Sequence, residues 1–138
     1  MNATRQRLTG SAAYRAVEGL GADPEEFMKM AMDALRAFLL QAESGIIGGD
    51  RPAKAKALSS AARLVEFILG LTGSEPGPLS DCLAEVYRYV LTAILKGNAS
   101  DDAEAVAAGR VAIEQLAAVW RRAFPDAFGS ESAACGLR

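Results

Sequence analysis

The sequence predicts an all-α protein: an antiparallel up-and-down four-helix bundle with an N-terminal arm that can form a short capping helix. Alanine, leucine, arginine and glutamate dominate the composition and favour helices, whereas β-branched residues are scattered singly. Apolar residues recur at helical spacing in four stretches, each bounded by capping residues, glycine or proline. The connections between these stretches are short, so neighbouring helices should run antiparallel.

The chain divides into three parts at proline, glycine and small polar residues. Residues 1–22 form the arm, whose few apolar anchors include Leu8 and Tyr14. Residues 23–124 form the bundle, which is long enough to bury a core as a single domain. Residues 125–138 are expected to be a disordered tail, because small polar residues dominate there.

Capping signals define the first bundle helix. Asp23 is its expected N-cap, Pro24 takes the first helical position, and Glu26 lies three residues after the cap. This helix should run to about Ile47 and end at the Gly-Gly pair that follows.

The remaining bundle helices have similar boundaries. The second should begin at the cap Asp50 and extend to about residue 71, before a Gly/Pro-rich loop over 73–78. The third should span 79–96 and stop at Gly97-Asn98. The fourth should begin at Asp101, with a glutamate three residues on, and continue to about residue 124.

The composition argues against an enzyme. The chain has no histidine, which excludes an imidazole base, a histidine-assisted nucleophile and a Glu-x-x-His metal site. Gly45, Gly48 and Gly49 follow a helix instead of opening one, and no Gly-Lys-Ser/Thr sequence occurs, which argues against a phosphate-binding loop. We therefore expect no catalytic residue, no cofactor and no metal.

Charge and cysteine content predict a cytoplasmic protein without a nucleic-acid or membrane partner. The net charge is −2, and the sequence has neither a signal peptide nor an apolar stretch long enough to span a bilayer. Cys82 and Cys135 lack metal-ligand spacing, which suits a reducing compartment. Cys82 is expected to be a small buried residue and Cys135 a tail residue.

The third bundle helix has more apolar surface than a bundle core requires. Its polar residues form one narrow seam: Asp81, Glu85, Arg88, Thr92 and Lys96. Either two neighbouring helices bury this surface, or part of it forms a groove for a helix or extended segment of another protein. Tyr87 and Tyr89 point about 200° apart, so at least one should face an interface or the surface.

Three stretches occur in an order and at separations typical of one family. The first is Tyr14 followed by residues 22–34, and the second is residues 38–50 with the lysines that follow. The third stretch contains Tyr87, Tyr89, Asn98, Asp102 and Trp120. Over residues 14–124 the chain resembles the flagellar secretion chaperone family FliS, although Met32, Ala34 and Arg88 depart from the family pattern.

The resemblance implies a helical bundle that binds the C-terminal segment of flagellin, here called the client, in apolar grooves between helices. This would prevent premature polymerisation and aid delivery to the flagellar export apparatus, which makes an export gate component a further candidate partner. It also implies an arm that can lie over its own groove, so Leu8 and Tyr14 are candidates for a displaceable cap. Local packing is the alternative role for both residues.

We expect the client surface on the second and third bundle helices. For each residue of this set the alternative is a place in the core, and the candidates are Leu64, Ile68, Tyr87, Tyr89, Leu91, Ile94 and Leu95. Two other functions stay open: a self-associating structural bundle that forms a homodimer, and a chaperone or regulator of another exported protein.

Overall fold

A computed structural model describes residues 3–72 and 77–128 and contains six helices of seven residues or more. They are α1 (Ala3–Thr9), α2 (Ala12–Gly19), α3 (Pro24–Gly48), α4 (Arg51–Thr72), α5 (Pro78–Ser100) and α6 (Ala103–Ala123). No strand occurs in the described residues, so the predicted all-α class is confirmed. Most of the loop predicted at 73–78 lies outside the described residues, as does Cys135.

The four long helices form a closed ring. α3 packs against α4 and α6, and α5 packs against the same two helices, which gives the ring order α3, α4, α5, α6. Large side chains from all four fill the interior, among them Met28, Met32, Leu35, Leu39, Val65, Ile68, Tyr87, Val90, Ile113 and Trp120. The predicted four-helix bundle is therefore correct.

The N-terminal arm is helical and docks on the bundle. α2 packs against α3 and α4, while α1 packs against α2 and α6. Ser11 begins α2, and its hydroxyl oxygen accepts a hydrogen bond from the backbone N–H of Tyr14 at 3.2 Å. The arm thus forms two short helices where the sequence predicted one.

The caps of α3 and α4 follow the sequence signals. The carboxylate of Asp23 accepts hydrogen bonds from the N–H groups of Glu25 and Glu26 at 3.0 and 3.5 Å. Gly49 ends α3 with φ 73°, a left-handed conformation that glycine adopts without steric cost. Asp50 then accepts a hydrogen bond from the N–H of Ala53 at 3.1 Å.

The predicted boundary between the last two helices was wrong by a few residues. α5 continues through Gly97 and Asn98 to Ser100, and Asp101 ends it with φ 50°. Asp102, one residue later than predicted, is the N-cap of α6, and its carboxylate accepts from the N–H of Ala105 at 3.0 Å. A tertiary contact of Gly97, described below, replaces its expected role as a helix stop.

Three glycines allow helix backbones to approach closely. A Cβ at Gly45 would lie 2.9 Å from the backbone nitrogen of Lys54 and 3.2 Å from the carbonyl oxygen of Asp50. A Cβ at Gly97 would overlap the Cγ2 atom of Val106, and one at Gly109 would lie 3.0 Å from the Cβ of Ala93. Glycine is therefore required where α3 meets α4 and where α5 meets α6.

Lys54 links the start of α4 to the connection between α5 and α6 at one end of the bundle. Its ammonium donates to the carbonyl oxygen of Asn98 at 3.2 Å and to the carboxylate of Asp101 at 2.5 Å. The lysine is 9% exposed, so its stem packs inside while its charge meets the C-terminus of α5. The hydrogen bond from Lys54, aided by the charges of Lys54 and Arg51, holds the pKa of Asp101 below its ordinary value.

Ion pairs connect α3 to α6 on the opposite side of α3 from α4. The Arg110 guanidinium donates to Glu43 at 2.5 and 3.2 Å and to Glu114 at 3.0 Å. Arg36 donates to the same Glu114 at 2.9 Å. Arg36 and Glu43, the charged residues in the middle of α3, are thus paired within the bundle. The hydrogen bond with Glu43 is the main cause that raises the pKa of Arg110.

The predicted disordered tail needs a correction over residues 125–128. These residues form a further helical turn, in which Phe128 donates its N–H to the carbonyl oxygen of Phe124 at 3.0 Å. Phe128 is buried and stacks on Trp120, with ring centroids 6.3 Å apart. The burial of Phe128 at the end of the core therefore outweighs the preference of the surrounding small polar residues for an irregular tail.

We predict that Gly45→Ala destabilises the protein by about 1–3 kcal/mol, because the new methyl group meets rigid backbone atoms of α4. Gly70→Ala is the matched control: a Cβ there meets no atom within 4 Å. It should be neutral or stabilising by about 0.5–1 kcal/mol, since alanine is the better helix former. Urea unfolding measures both, and equal free energies of unfolding for the two variants would contradict this account of Gly45.

Acidification should weaken the Lys54 contact. The pKa of folded Asp101 is lowered from about 3.8, so its stabilising contribution is complete above that pH and is lost as the pH falls through the lower folded value. We predict that Lys54→Met lowers the urea midpoint at pH 7 and that its difference from the natural protein shrinks below about pH 4. Lys29→Met, which removes a surface pair with Asp33, should change the midpoint little at either pH. A pH-independent difference for Lys54→Met would refute the assignment.

Candidate binding groove

An open groove runs between α5 and α6. Its outer part has a volume of about 680 Å³ and is lined by Cys82, Glu85, Val86 and Tyr89 of α5 and by Ala108, Val111, Ala112 and Gln115 of α6. A second cavity of about 350 Å³ shares Cys82, Val86, Ala112 and Gln115 with it and adds Leu79, Leu83, Leu116 and Val119. Because they share four lining residues, the two form one continuous feature, which we call the α5–α6 groove.

The lining of the α5–α6 groove is suited to apolar side chains. Tyr89 and Val111 stand on its two walls and are 53% and 42% exposed. The polar side chains of Glu85 and Gln115 lie among the apolar ones, where they could orient a bound chain by hydrogen bonds. Among the described residues, no group of acidic and cysteine side chains could hold a metal ion.

The first helix of the arm closes one end of this groove. Thr4, Arg7 and Leu8 of α1 line the inner cavity together with side chains of α5 and α6. Leu8 is only 2% exposed, so α1 inserts its one fully buried side chain here. Burial of a leucine side chain contributes about 1.5–3 kcal/mol, which is a large share of what a helix of seven residues can gain.

Polar and aromatic contacts hold the arm beside the groove. The Tyr14 ring stacks on Phe124 with centroids 6.1 Å apart, and its hydroxyl donates to the carboxylate of Glu25 at 3.4 Å. Burial, followed by the charge of Glu25, raises the pKa of the Tyr14 hydroxyl, so it stays protonated near neutral pH. Arg5 lies over the Phe124 ring, 4.8 Å from its centroid, and donates to the carbonyl oxygen of Ala123 at 3.2 Å.

An aromatic column supports these contacts from the core. Trp120 stacks on Phe124 with ring centroids 5.4 Å apart, and Phe124 in turn stacks on Tyr14 of the arm. The indole nitrogen of Trp120 is buried without a hydrogen-bond partner among the described residues. The position of the arm is therefore set by stacking on a rigid part of the bundle, at the C-terminus of α6.

Comparison with known proteins assigns the chain to a family. Residues 8–127 match the family described as "Flagellar protein FliS". The chain belongs to the FliS family. A relative from Salmonella typhimurium, strain LT2, named "Flagellar secretion chaperone FliS", is 29% identical over 115 residues, which cover 82% of this chain and 85% of the relative. The resemblance stated from the sequence is therefore confirmed, and the FliS match begins at Leu8, a lining residue of the inner cavity.

Three of the residues expected on the client surface lie in the core of this FliS-family bundle. Ile68, Tyr87 and Ile94 are at most 2% exposed, so an outside chain does not reach them in this conformation. They face the centre of the ring because they occupy the core-facing positions of α4 and α5. Burial also raises the pKa of Tyr87.

The other four candidates lie on α4, for Leu64, and on different sides of α5. Tyr89 lines the α5–α6 groove, as the 200° divergence from Tyr87 allows. Leu64 and Leu91 are half-buried beside the core, and Leu95 is exposed without lining the groove. Tyr89 is thus the member of the predicted set that the structure brings to an open apolar surface formed by two helices.

Several groove residues could not be distinguished from core residues by sequence. Val111 is one of the large apolar residues of α6, but it is exposed on the groove wall. Cys82, expected to be buried, is exposed and lines both parts of the groove. The available signal was the position of Cys82 on the apolar flank next to the polar seam of α5, where either a helix contact or a groove can lie.

The helices of the described residues are all too short or too polar to cross a membrane.

Proposed function

We propose that the protein is a cytoplasmic export chaperone that binds the C-terminal segment of flagellin in the α5–α6 groove. The observation that carries the proposal is an open apolar groove between two long helices with Tyr89 and Val111 exposed on its walls. Membership of the FliS family and the name of the Salmonella relative support the chaperone role. Binding would prevent premature polymerisation and aid delivery to the flagellar export apparatus, with a component of the export gate as the receiving partner.

The physical basis is recognition of a helix, or of an extended segment, in a groove between helices. An unfolded segment gains free energy by burying apolar side chains between α5 and α6, and it must order its backbone to do so. This ordering costs about 2–5 kcal/mol or more, which keeps the complex reversible. Reversibility suits a chaperone that must release its client intact.

The walls of the groove would make the decisive contacts. Tyr89 combines a large ring with a hydroxyl group, and such side chains commonly dominate interface free energies. Val111 faces it from α6, while Val86 and Ala112 form the floor that both parts of the groove share. We place Leu91 and Leu95 outside this contact, because they project from other sides of α5 than Tyr89.

We propose that α1 is a displaceable cap that competes with the client for one end of the groove. Leu8 lines the inner cavity, whereas Tyr14 belongs to α2 and stacks on Phe124. α1 joins α2 through Gly10 and Ser11, and its backbone approaches α2 and α6 closely. The cap would therefore be α1 with Leu8, while α2 with Tyr14 stays docked as its anchor.

We predict that Val111→Glu weakens binding of a flagellin C-terminal peptide by more than about tenfold, because a charge would enter an apolar contact. Helicity and melting temperature should not change, since Val111 is partly exposed in the free protein. Leu95→Glu introduces the same charge on an exposed residue of α5 outside the groove and should change the affinity less than about threefold. Isothermal titration calorimetry and circular dichroism measure these quantities.

The opposite result would assign the client to a different surface of the bundle. If Leu95→Glu abolishes binding and Val111→Glu does not, the client lies on the other side of α5. If neither natural protein nor variant binds the peptide, the chaperone proposal fails for flagellin. Light scattering then tests the alternative of a self-associating bundle, in which Val111→Glu would convert a homodimer to a monomer.

We predict that removal of residues 1–10 raises the affinity for the peptide several-fold, because the client no longer competes with α1 for the inner cavity. Ser11 is retained in this variant, so the N-cap of α2 remains. Leu8→Ala should have a smaller effect in the same direction, and Leu20→Ala, at an exposed arm residue, should have none. Fluorescence anisotropy with a labelled peptide measures the series. An unchanged affinity after truncation would show that α1 is only a packing element.

A further inference from the structure

The helix α1 presents two side chains to the bundle from one face. Leu8 lines the inner cavity of the α5–α6 groove, and Arg5 reaches the C-terminus of α6. Residues three apart in a helix lie on the same face, so Arg5 and Leu8 contact the bundle together. The arm therefore covers the end of the groove with one apolar side chain and one cation placed beside it.

The guanidinium group of Arg5 has three partners on the bundle. It lies over the ring of Phe124, 4.8 Å from the centroid, and donates to the carbonyl oxygen of Ala123 at 3.2 Å. One oxygen of the Glu25 carboxylate lies 3.8 Å from its terminal nitrogen Nη2. An aromatic ring, a carbonyl oxygen and a carboxylate together suit a guanidinium group. We call the three partner residues the guanidinium site.

The guanidinium site is built without any residue of α1. Glu25 belongs to the first turn of α3, Ala123 is the last residue of α6, and Phe124 follows it. A helix leaves the carbonyl groups of its last turn without partners inside the helix, so that of Ala123 can accept from another chain. Tyr14 of α2 donates to the Glu25 carboxylate at 3.4 Å and stacks on Phe124. Because α2 stays docked, the site keeps its shape when α1 leaves.

The carboxylate of Glu25 gives this site its preference for a cation. Arg121 and Arg122 lie in the last turn of α6, next to the carbonyl group that Arg5 contacts. Their charges disfavour a further cation, and the ion pair with Glu25 offsets them. The side chain of Glu25 is 22% exposed, so solvent screens its charge only in part. Removal of this one charge should therefore remove the preference.

We propose that the guanidinium site binds an arginine side chain of the segment that displaces α1. The segment lies as a helix in the direction of α1. An apolar side chain takes the place of Leu8, and an arginine three residues before it takes the place of Arg5. The preferred ligand is therefore a helical segment with the pattern Arg-x-x-Leu, which α1 itself carries at residues 5–8. This inference rests on the proposed displacement of α1 and adds the chemistry by which the arriving segment is recognised.

Two synthetic helical peptides test the proposal. They share one apolar stripe with a central leucine and differ three residues before it, where one has arginine and the other has citrulline, its neutral isostere. The arginine peptide should bind the natural protein at least about tenfold more tightly, because only this peptide makes the charged contacts. Fluorescence anisotropy of the labelled peptides measures both affinities. Equal affinities, or no binding of either peptide, would overturn the proposal.

Two matched substitutions then locate the arginine of the peptide. Glu25→Gln removes the charge of the site but keeps an oxygen that can accept from Tyr14, and it should reduce the ratio of the two affinities below about threefold. Glu26→Gln removes the same charge from an exposed residue of the same helical turn and should leave the ratio unchanged. Urea midpoints check that both variants remain folded. An equal fall of the ratio in both variants would mean that only the overall charge of this region matters, and the proposal would fail.

Arg5→Gln tests whether the peptides and α1 use the same site. Loss of the Arg5 contacts weakens the hold of α1, so both peptides should bind several-fold more tightly while the ratio between them stays the same. Unchanged affinities would show that α1 keeps its place when the peptides bind, which would overturn the proposal. A flagellin peptide that does not bind, together with an intact preference for arginine, would contradict the proposed client but not the guanidinium site. Flagellin binding without any preference for arginine would contradict the site alone.

Discussion

The close approach of helix backbones at three glycines sets the spacing of the four long helices. Glycine inside a helix costs roughly 1 kcal/mol relative to alanine. At Gly45, Gly97 and Gly109 this cost is offset, because a methyl group would collide with backbone or rigid side-chain atoms of the neighbouring helix. The glycines bring α3 to α4 at their turn, and α5 to α6 near theirs. Larger side chains further along the helices fill the interior of the bundle.

The α5–α6 groove follows from this arrangement. The helices touch closely at Gly97 with Val106 and at Gly109 with Ala93, and the groove begins next to this second contact, at Tyr89 and Ala108. Beyond it, α5 and α6 leave an apolar channel that their own side chains do not close. Leu8 of the arm enters its far end. A bundle that is tight at one end and open at the other can be stable and still offer apolar surface to another chain.

The sequence predicted the helices well, because caps and stops act locally. Asp23, Asp50 and Gly49 define the ends of α3 and α4 through contacts within a few residues. Gly97 misled the prediction because its role is tertiary, and nothing in the local sequence shows that Val106 packs against it. Phe128 was assigned to the tail for the same reason. Its stacking on Trp120 is a tertiary contact that the local sequence does not reveal.

The candidate site was harder to predict, because periodicity identifies an apolar flank but not what covers it. Ile68, Tyr87 and Ile94 have the same apolar character as Val86 and Val111, yet the first three meet neighbouring helices and the last two meet a groove. Charge pairing is equally invisible in sequence: Arg36 and Lys56 both precede apolar residues, but only Arg36 finds a carboxylate on α6.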